Sequence, residues 1–231
     1  MLQASMCGRF ERHSALSEFV EVVAGLVGSE PELLPASYNI APSQQALVVR
    51  QSVAGLRAEP VQWGLVPGWG KDSRMTRPIN ARAETAAERP MFRQAVRRQR
   101  CLVLCNGFYE WRRADDGSRQ PFHLGLKDGR PFAMAGLWAR NEHLEQAPLE
   151  TFCIVTTEAN DACATVHKRM PLILPRGHHG EWLDPTMRSV DRLQAMLKPY
   201  PGNMLVYPVS RTVNNPANNT AQCIEPLSVK I

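Results

Sequence analysis

The sequence lacks any long apolar segment. No run within its 231 residues approaches the 18 apolar residues that a membrane-spanning helix needs, and residues 1–14 lack the apolar region of a secretory signal. We therefore expect a cytosolic protein with no membrane partner. With 44% hydrophobic residues, the chain is long enough to bury a full core, which favours one domain.

Closely paired cysteines are also lacking. The six cysteines are spread along the chain, which argues against a disulfide scaffold. Cys101 and Cys105 stand four residues apart in an apolar stretch, and no second Cys or His pair lies at the spacing of zinc ligands. We therefore predict that both are core thiols, and we expect neither a metal ion nor another cofactor.

Lysine is scarce. Five of the 27 basic residues are lysines, which leaves 22 arginines, and the net charge is +5. Arginine makes forked contacts with phosphate and stacks on bases. The composition therefore permits an anionic partner such as nucleic acid, although a biased genomic base composition would produce the same excess of arginine.

The first candidate reactive group lies near the amino end, in Met6-Cys7-Gly8-Arg9-Phe10. In a chain that starts at Met6, or that loses residues 1–6, Cys7 carries a free α-amine beside its thiol. Both groups titrate near physiological pH, so an aldehyde would form an imine and then close to a thiazolidine. An unreactive buried thiol is the alternative. Residues 1–5 are then a non-native or removable extension.

The spacing of apolar residues predicts a mixture of short strands and helices. We expect an α+β fold in which a curved, partly closed antiparallel sheet, barrel-like in shape, is flanked by helices. Hairpins are predicted at turns 51–55, 112–120 and 127–130. The main predicted strands cover residues 46–50, 56–63, 101–105, 121–126, 132–138 and 151–157, and the main helices 14–27, 84–100 with a break near Pro90, 160–166 and 190–197.

A loop rich in glycine and proline carries Trp63 and Trp69. An exposed tryptophan there would stack on a base or wedge between bases, whereas a buried one would fold the loop over the core. The predicted helix 84–100 follows it and is basic, which indicates a solvated face or a phosphate-binding one. Its arginines are Arg89, Arg93, Arg97, Arg98 and Arg100.

Three polar residues lie where they would reach a site. Asn80 and Arg82 alternate along an extended segment and therefore face the same way, which suits contact with a phosphate or a polar transition state and equally suits a plain surface pair. Glu110 follows aromatic residues beyond the apolar strand 101–105. Burial there would raise the pKa of its carboxyl group into the range that is useful for proton transfer, although a plain surface glutamate is the alternative.

Four segments, taken in order, resemble the SRAP family, whose members attach covalently to abasic sites in single-stranded DNA. They are residues 6–10, 79–85, 107–111 and 166–171, and residues 38–42, 63–69 and 209–210 are also in register. The resemblance covers residues 6–226 and implies a single SRAP-like domain with that shape of sheet. It implies that Cys7 is the nucleophile and that Asn80, Glu110 and His167 complete the site.

The same resemblance implies that Arg9, Arg82 and Arg89 hold backbone phosphates and that Trp69 stacks or wedges at the lesion. The implied function is an abasic-site crosslinking protein that shields the lesion from strand breakage and is associated with the nucleoid when bound to DNA. His167 would either help to open the sugar ring or act in strand cleavage by β-elimination, as a lyase does. The alternatives are a thiol peptidase that uses Cys7 and His167, and a non-covalent binder of single-stranded DNA. No feature indicates an obligate protein partner or an oligomer, so we expect a monomer.

The sequence departs from the family pattern at two places. The cysteine of the family follows the initiator methionine directly, whereas here residues 1–5 precede Met6. If these residues persist, the nitrogen of Cys7 is an amide and no thiazolidine forms. Gly70 stands where relatives carry a further tryptophan, which would weaken a wedge without abolishing the chemistry.

Overall fold

A computed structural model describes residues 7–26, 34–144 and 148–227. The predicted extension, together with Met6 and Val27, lies outside the described residues. No helix in the described ranges is long and apolar enough to cross a membrane. The strands are β1 (Phe10–Arg12), β2 (Ser37–Ile40), β3 (Gln45–Ser52), β4 (Gly55–Trp63), β5 (Asn80–Arg82), β6 (Arg100–Cys105), β7 (Gly107–Arg113), β8 (Arg119–Leu126), β9 (Phe132–Asn141), β10 (Leu149–Glu158), β11 (Arg169–Pro171) and β12 (Met204–Pro208). The helices are α1 (Leu16–Val22), α2 (Arg93–Arg98), α3 (Asp161–Ala164), α4 (His179–Leu183) and α5 (Val190–Met196), with short 3₁₀ turns at Arg176–His178, Arg211–Asn214 and Ala221–Ile224.

The strands form two sheets. One has the order β12-β8-β7-β1-β2, and the other has the order β11-β10-β4-β3-β6-β9, with β5 beside β10. A further pairing between β9 and β10 closes five strands of the second sheet into a ring. The predicted α+β fold with a curved, partly closed sheet is therefore confirmed. The sheets are mainly antiparallel, with β4 and β5 running parallel to β10.

The core follows from the apolar runs. All six residues of β6 are buried, as expected for a strand whose apolar character is unbroken. Cys101 and Cys105 have no exposed surface, which confirms the prediction of core thiols. The predicted hairpin of β3 and β4 and that of β7 and β8 also form.

The hairpin predicted at residues 127–130 is wrong. The turn itself exists, because the N–H of Gly129 donates to the carbonyl oxygen of Leu126 at 3.0 Å. However, β8 pairs with β7 and β12, whereas β9 pairs with β6 and β10 in the other sheet. The strand after the turn, β9, is buried almost throughout and becomes one strand of the ring instead of folding back on β8.

The long basic helix predicted over residues 84–100 is also wrong. Only α2 is helical, residues 83–92 form turns, and Arg100 begins β6. Pro90 has no N–H to donate, which interrupts helical hydrogen bonding at that point. Arg100 is 4% exposed and does not belong to a basic face. Its guanidinium group donates to the carbonyl oxygens of Val96, Trp182, Asp184 and Met187.

Candidate active site

Cys7 lies just before β1 and is fully buried. Its φ of +39° is a conformation that residues other than glycine seldom adopt and that is often found at functional sites. The pairing of β1 with β7 places Phe10 opposite Phe108 and brings Cys7 close to β7. There the backbone N–H of Cys7 donates to Oε1 of Glu110 at 2.7 Å.

Glu110 is the acid–base candidate of this site. Its side chain is 3% exposed, and burial raises the pKa of its carboxyl group to about 7, although hydrogen bonds from the N–H groups of Cys7 and Trp111 oppose the rise. The predicted burial of this carboxyl group is confirmed. Near neutral pH both protonation states are populated, so the group can donate or accept a proton.

The Cys7 thiol is not an activated thiolate. Burial raises its pKa well above the ordinary value, and negative charge on Glu110 or Cys163 raises it further. Reactive thiolates instead lie beside positive groups that lower the pKa. At neutral pH this sulfur therefore carries its proton.

Asn80 approaches Cys7 from the other sheet. It begins β5, whose pairing with β10 sets Asn80 opposite Ile154. Its Nδ2 lies 3.5 Å from the carbonyl oxygen of Cys7. Ala81 is buried between half-buried Asn80 and exposed Arg82, which confirms that these two polar residues share a face.

His167 follows α3 and is half-buried. Asn160 caps this helix by accepting from the N–H of Cys163 at 3.0 Å, and the N–H of His167 donates to the carbonyl oxygen of Cys163. Cys163 in turn is close enough to Cys7 and Glu110 to affect the pKa of the Cys7 thiol, and its own pKa is raised partly by Glu110. The helix therefore places His167 on the Cys163 side of the site.

The imidazole of His167 is oriented by Arg169. The backbone N–H of Arg169 donates to Nδ1 at 3.1 Å, and the carbonyl oxygen of the same residue lies 3.3 Å from that nitrogen. Both contacts engage Nδ1 and fix the orientation of the ring against the backbone of Arg169. Arg169 itself forms a two-point ion pair with Glu84, with contacts of 2.5 and 2.9 Å.

Residues 6–216 match the family described as SOS response associated peptidase, SRAP. The chain belongs to the SRAP family. It is 40% identical over 223 residues to abasic site processing protein YoaM of Bacillus subtilis, and the match covers 95% of this chain and 98% of the relative. It is 31% identical over 229 residues to abasic site processing protein YedK of Escherichia coli, and the match covers 96% of this chain and all of the relative.

A crystal structure of a protein from Bacteroides thetaiotaomicron has the same fold. Its TM-score is 0.81 at 24% identity, and the match covers 96% of this chain and all of the other. At this identity, the likeness shows the fold alone. The SRAP fold therefore extends over nearly the entire sequence.

The SRAP resemblance also predicted four DNA-contacting residues. In the structure three of them are exposed and one is turned inward. Trp69 is 53% exposed, and Arg82 and Arg89 are exposed. Arg9 is instead turned inward: its Nη1 donates to Oδ1 of Asn39 at 2.7 Å and to the carbonyl oxygen of Val213 at 2.6 Å. Arg9 therefore ties β1 to the carboxyl-terminal segment, and contact with DNA stays a prediction for all four.

The two SRAP loop tryptophans have opposite surroundings. Trp63, for which the sequence left both possibilities open, is buried and donates from its indole nitrogen to the carbonyl oxygen of Ile79 at 2.9 Å. At Gly70, a Cβ atom would lie 2.6 Å from Sδ of Met75. The side chain of Met75 therefore packs against Gly70, next to the exposed Trp69 in sequence.

Asn141 is a residue of the site region that sequence reasoning missed. It is fully buried, and its Nδ2 donates to the carbonyl oxygens of Pro67 at 2.8 Å and Gly70 at 2.9 Å. These two carbonyl groups flank Trp69 on both sides. No local signal marks Asn141 in the sequence, since it is one polar residue at the end of an apolar strand.

Proposed function

We propose that this protein binds abasic sites in single-stranded DNA and captures them covalently through the amine and thiol of Cys7, in the form of the chain whose first residue is Cys7. The observation that carries the proposal is the 2.7 Å contact between the Cys7 nitrogen and a carboxyl group whose pKa is about 7. The abasic site processing activity named for the relatives from Bacillus subtilis and Escherichia coli supports it.

The first step forms a carbon–nitrogen bond. The ring-opened sugar of an abasic site presents an aldehyde, and the neutral Cys7 amine adds to its carbon while the carboxylate of Glu110 takes a proton from nitrogen. Protonated Glu110 passes that proton to the former aldehyde oxygen, which becomes the hydroxyl group of a carbinolamine. Glu110 then carries the second proton from nitrogen to this hydroxyl group, which leaves as one molecule of water and gives the imine. A group with a pKa near 7 serves both transfers at neutral pH.

The second step closes the ring. The Cys7 sulfur adds to the imine carbon, the carbon–sulfur bond forms, and the thiol proton ends on nitrogen. Because the thiol pKa is raised, the sulfur enters this step with its proton, and Glu110 is placed to relay it. The product is a thiazolidine whose mass equals protein plus DNA less one water.

Asn80 and His167 have supporting roles in this proposal. Asn80 reaches the Cys7 carbonyl oxygen from β5 and would orient the backbone of the nucleophile or the sugar by hydrogen bonding. His167 has an imidazole ring that can donate or accept a proton, which suits it to open the sugar ring or to assist strand cleavage by β-elimination.

A thiol peptidase is the less favoured function. Such an enzyme needs a thiolate beside an imidazole, whereas burial and negative neighbours raise the pKa of the Cys7 thiol. A peptidase needs no free α-amine, so blocking that amine separates the two chemistries.

Intact-mass measurement tests the proposal. The chain beginning at Cys7 and the 231-residue chain are each incubated with an oligonucleotide that carries one abasic site. We expect a stable adduct only with the chain beginning at Cys7, whose α-amine is free. Its mass should equal that of protein plus DNA less one water. Cys7→Ala in the chain beginning at residue 7 keeps an amine but has no sulfur, so it should give an imine that is detected only after reduction by cyanoborohydride.

Two outcomes would contradict the proposal. An adduct that forms equally well after acetylation of the amine would remove the amine from the chemistry. The absence of any adduct, with binding retained, would leave a non-covalent DNA-binding protein.

A further inference from the structure

Four exposed arginines share one surface far along the chain from Cys7. Arg93, Arg97 and Arg98 come from α2, Arg188 comes from the segment before α5, and together they line a shallow depression. We name these four residues the α2 arginine patch. Within the described part of the chain, none of them forms an ion pair or a side-chain hydrogen bond.

The patch is assembled by a buried residue. Arg100 donates to the carbonyl oxygen of Val96 in α2 at 2.6 Å, and to those of Trp182 at 2.6 Å and Met187 at 3.1 Å. It therefore fastens α2 to the segment that leads into Arg188. A position 90 residues away in sequence is thereby fixed beside α2, so the cluster does not arise from one basic run alone.

Two acidic groups near the patch in sequence have their contacts elsewhere. Glu181 is paired with Arg192 at 2.7 Å, and the carboxylate of Asp184 accepts from the N–H and hydroxyl groups of Thr186 at 2.8 Å. Arg93 and Arg97 stand four residues apart on one helix, a spacing at which like charges destabilise the helix. The fold thus gains nothing from this arrangement, which directs attention to a partner.

One chain segment joins the patch to Asn80 of the proposed site. Arg82 and Arg89 are exposed along this segment, and the N–H groups of Ala86 and Arg93 donate to the carbonyl oxygens of Arg82 and Arg89, each at 2.9 Å. These bonds between residues four apart keep the turns compact, and at about 1.5 Å per residue the path from Arg82 to the end of α2 is on the order of 20 Å. That length corresponds to several nucleotides of DNA.

We infer that the α2 arginine patch binds the sugar–phosphate backbone of DNA flanking the abasic site, several nucleotides from the lesion. Arginine makes paired hydrogen bonds with phosphate oxygens, and a patch with no carboxylate partner offers its guanidinium groups undivided. This inference rests on the proposed function and adds to it a second contact region that carries no sequence information.

The test compares two oligonucleotides with a tetrahydrofuran abasic analogue at the centre, which forms no imine. One has two nucleotides on each side of the analogue, and the other has twelve. Binding of the chain beginning at Cys7 is measured by fluorescence anisotropy over a range of salt concentrations. Arg97→Gln/Arg98→Gln is compared with Lys127→Gln/Arg130→Gln, which removes two charges from the exposed turn between β8 and β9.

We expect Arg97→Gln/Arg98→Gln to weaken binding of the long oligonucleotide about tenfold and to reduce the slope of log affinity against log salt by roughly 1.4. Affinity for the short oligonucleotide should stay unchanged, and the control variant should alter neither. The same loss on a long oligonucleotide with one flank paired into duplex would also support the inference.

Equal losses for the patch and control variants, or equal losses on the long and short oligonucleotides, would overturn the inference. A melting temperature that falls below that of the control would overturn it as well, because it would give these arginines a structural role. Failure of the covalent proposal is distinguishable, since it shows as a missing adduct while this binding assay involves no covalent step.

Discussion

Oε1 of Glu110 accepts a hydrogen bond of 2.7 Å from the backbone nitrogen of Cys7, although 103 residues separate the two in sequence. Glu110→Gln keeps an oxygen acceptor at this position but cannot exchange a proton. We expect the rate of adduct formation at pH 7 to fall about 100-fold or more. Single-turnover gel assays measure this rate with the chain that begins at Cys7.

A measurement of DNA affinity shows whether Glu110 acts in proton transfer or in DNA binding. Affinity of Glu110→Gln for an oligonucleotide with the tetrahydrofuran analogue should stay within about twofold of the wild type, because the amide oxygen of Gln still accepts the hydrogen bond from the Cys7 nitrogen. Glu225→Gln, at an exposed position, serves as the control. A full rate of adduct formation in Glu110→Gln would exclude Glu110 as the proton carrier.

The same substitution should stabilise the protein at alkaline pH. The folded-state pKa of Glu110 is raised from 4.5 to about 7, so the folded chain holds this proton more tightly than the unfolded chain. Its contribution to stability is complete below about pH 4.5 and is lost as the pH rises through 7. We expect the advantage of Glu110→Gln to grow over this interval to about 3 kcal/mol at most.

Urea unfolding at pH 5 and pH 8 measures this difference in the free energy of unfolding. Glu225→Gln should show no comparable dependence on pH. Parallel pH curves for the wild type and Glu110→Gln would show that burial does not penalise this carboxylate.

Asn141 should act on DNA through Trp69. Asn141→Ala removes the donors to the carbonyl oxygens of Pro67 and Gly70, so the loop loses its anchor on both sides of the tryptophan. We expect a loss of about 1–3 kcal/mol in the free energy of unfolding. Affinity for the abasic oligonucleotide should fall nearly as far as in Trp69→Ala.

A double-mutant cycle provides the control for Asn141. If the residue acts by placing Trp69, Asn141→Ala should cause no further loss of affinity in the Trp69→Ala background. Fully additive losses would show that the amide acts on DNA binding by another route.

Gly107 is required by the packing between β1, β7 and β8. A Cβ atom there would lie 2.2 Å from Nε2 of His123 and 3.0 Å from Oε1 of Glu11, and both of these side chains are buried. Gly107→Ala should therefore reduce the free energy of unfolding by about 1–3 kcal/mol through overpacking. Thermal or urea unfolding measures the loss.

Gly177→Ala is the matched control for this substitution. A Cβ atom at Gly177 meets nothing within 4 Å, so its effect should be near zero. Equal stabilities of the Gly107 and Gly177 variants would mean that His123 moves aside without cost.

Local pattern predicted the strands well and their partners less well. The apolar run of β6 and the hairpin of β3 and β4 need only neighbouring residues to specify them. Neighbouring residues do not specify that β9 lies in a different sheet from β8, because an Asp-Gly turn reverses the chain locally whichever sheet receives the next strand. Arg100 was assigned to a basic surface, and its burial depends on carbonyl groups more than 80 residues away.

The candidate site shows the same division. The burial of Glu110 was predictable from its aromatic neighbours, whereas its contact with Cys7 requires the pairing of β1 with β7. The inward turn of Arg9 was not predictable, since it requires Asn39 and the carbonyl group of Val213. Sequence thus indicates which groups are chemically apt, and the long-range pairings decide which of them meet.

The ring of strands has a short seam. β4 and β10 pair at two positions, Gln62 with Thr151 and Trp63 with Phe152, as few as β3 and β6, whereas β3 and β4 pair at eight. Because the β4–β10 pairing is also parallel, which is slightly less stable per residue, local opening would begin there, and amide protons at the seam should exchange with solvent sooner than those between β3 and β4. Since Asn80 pairs with Ile154 immediately beyond the seam, warming would disturb its alignment with Cys7 while the rest of the protein is still folded.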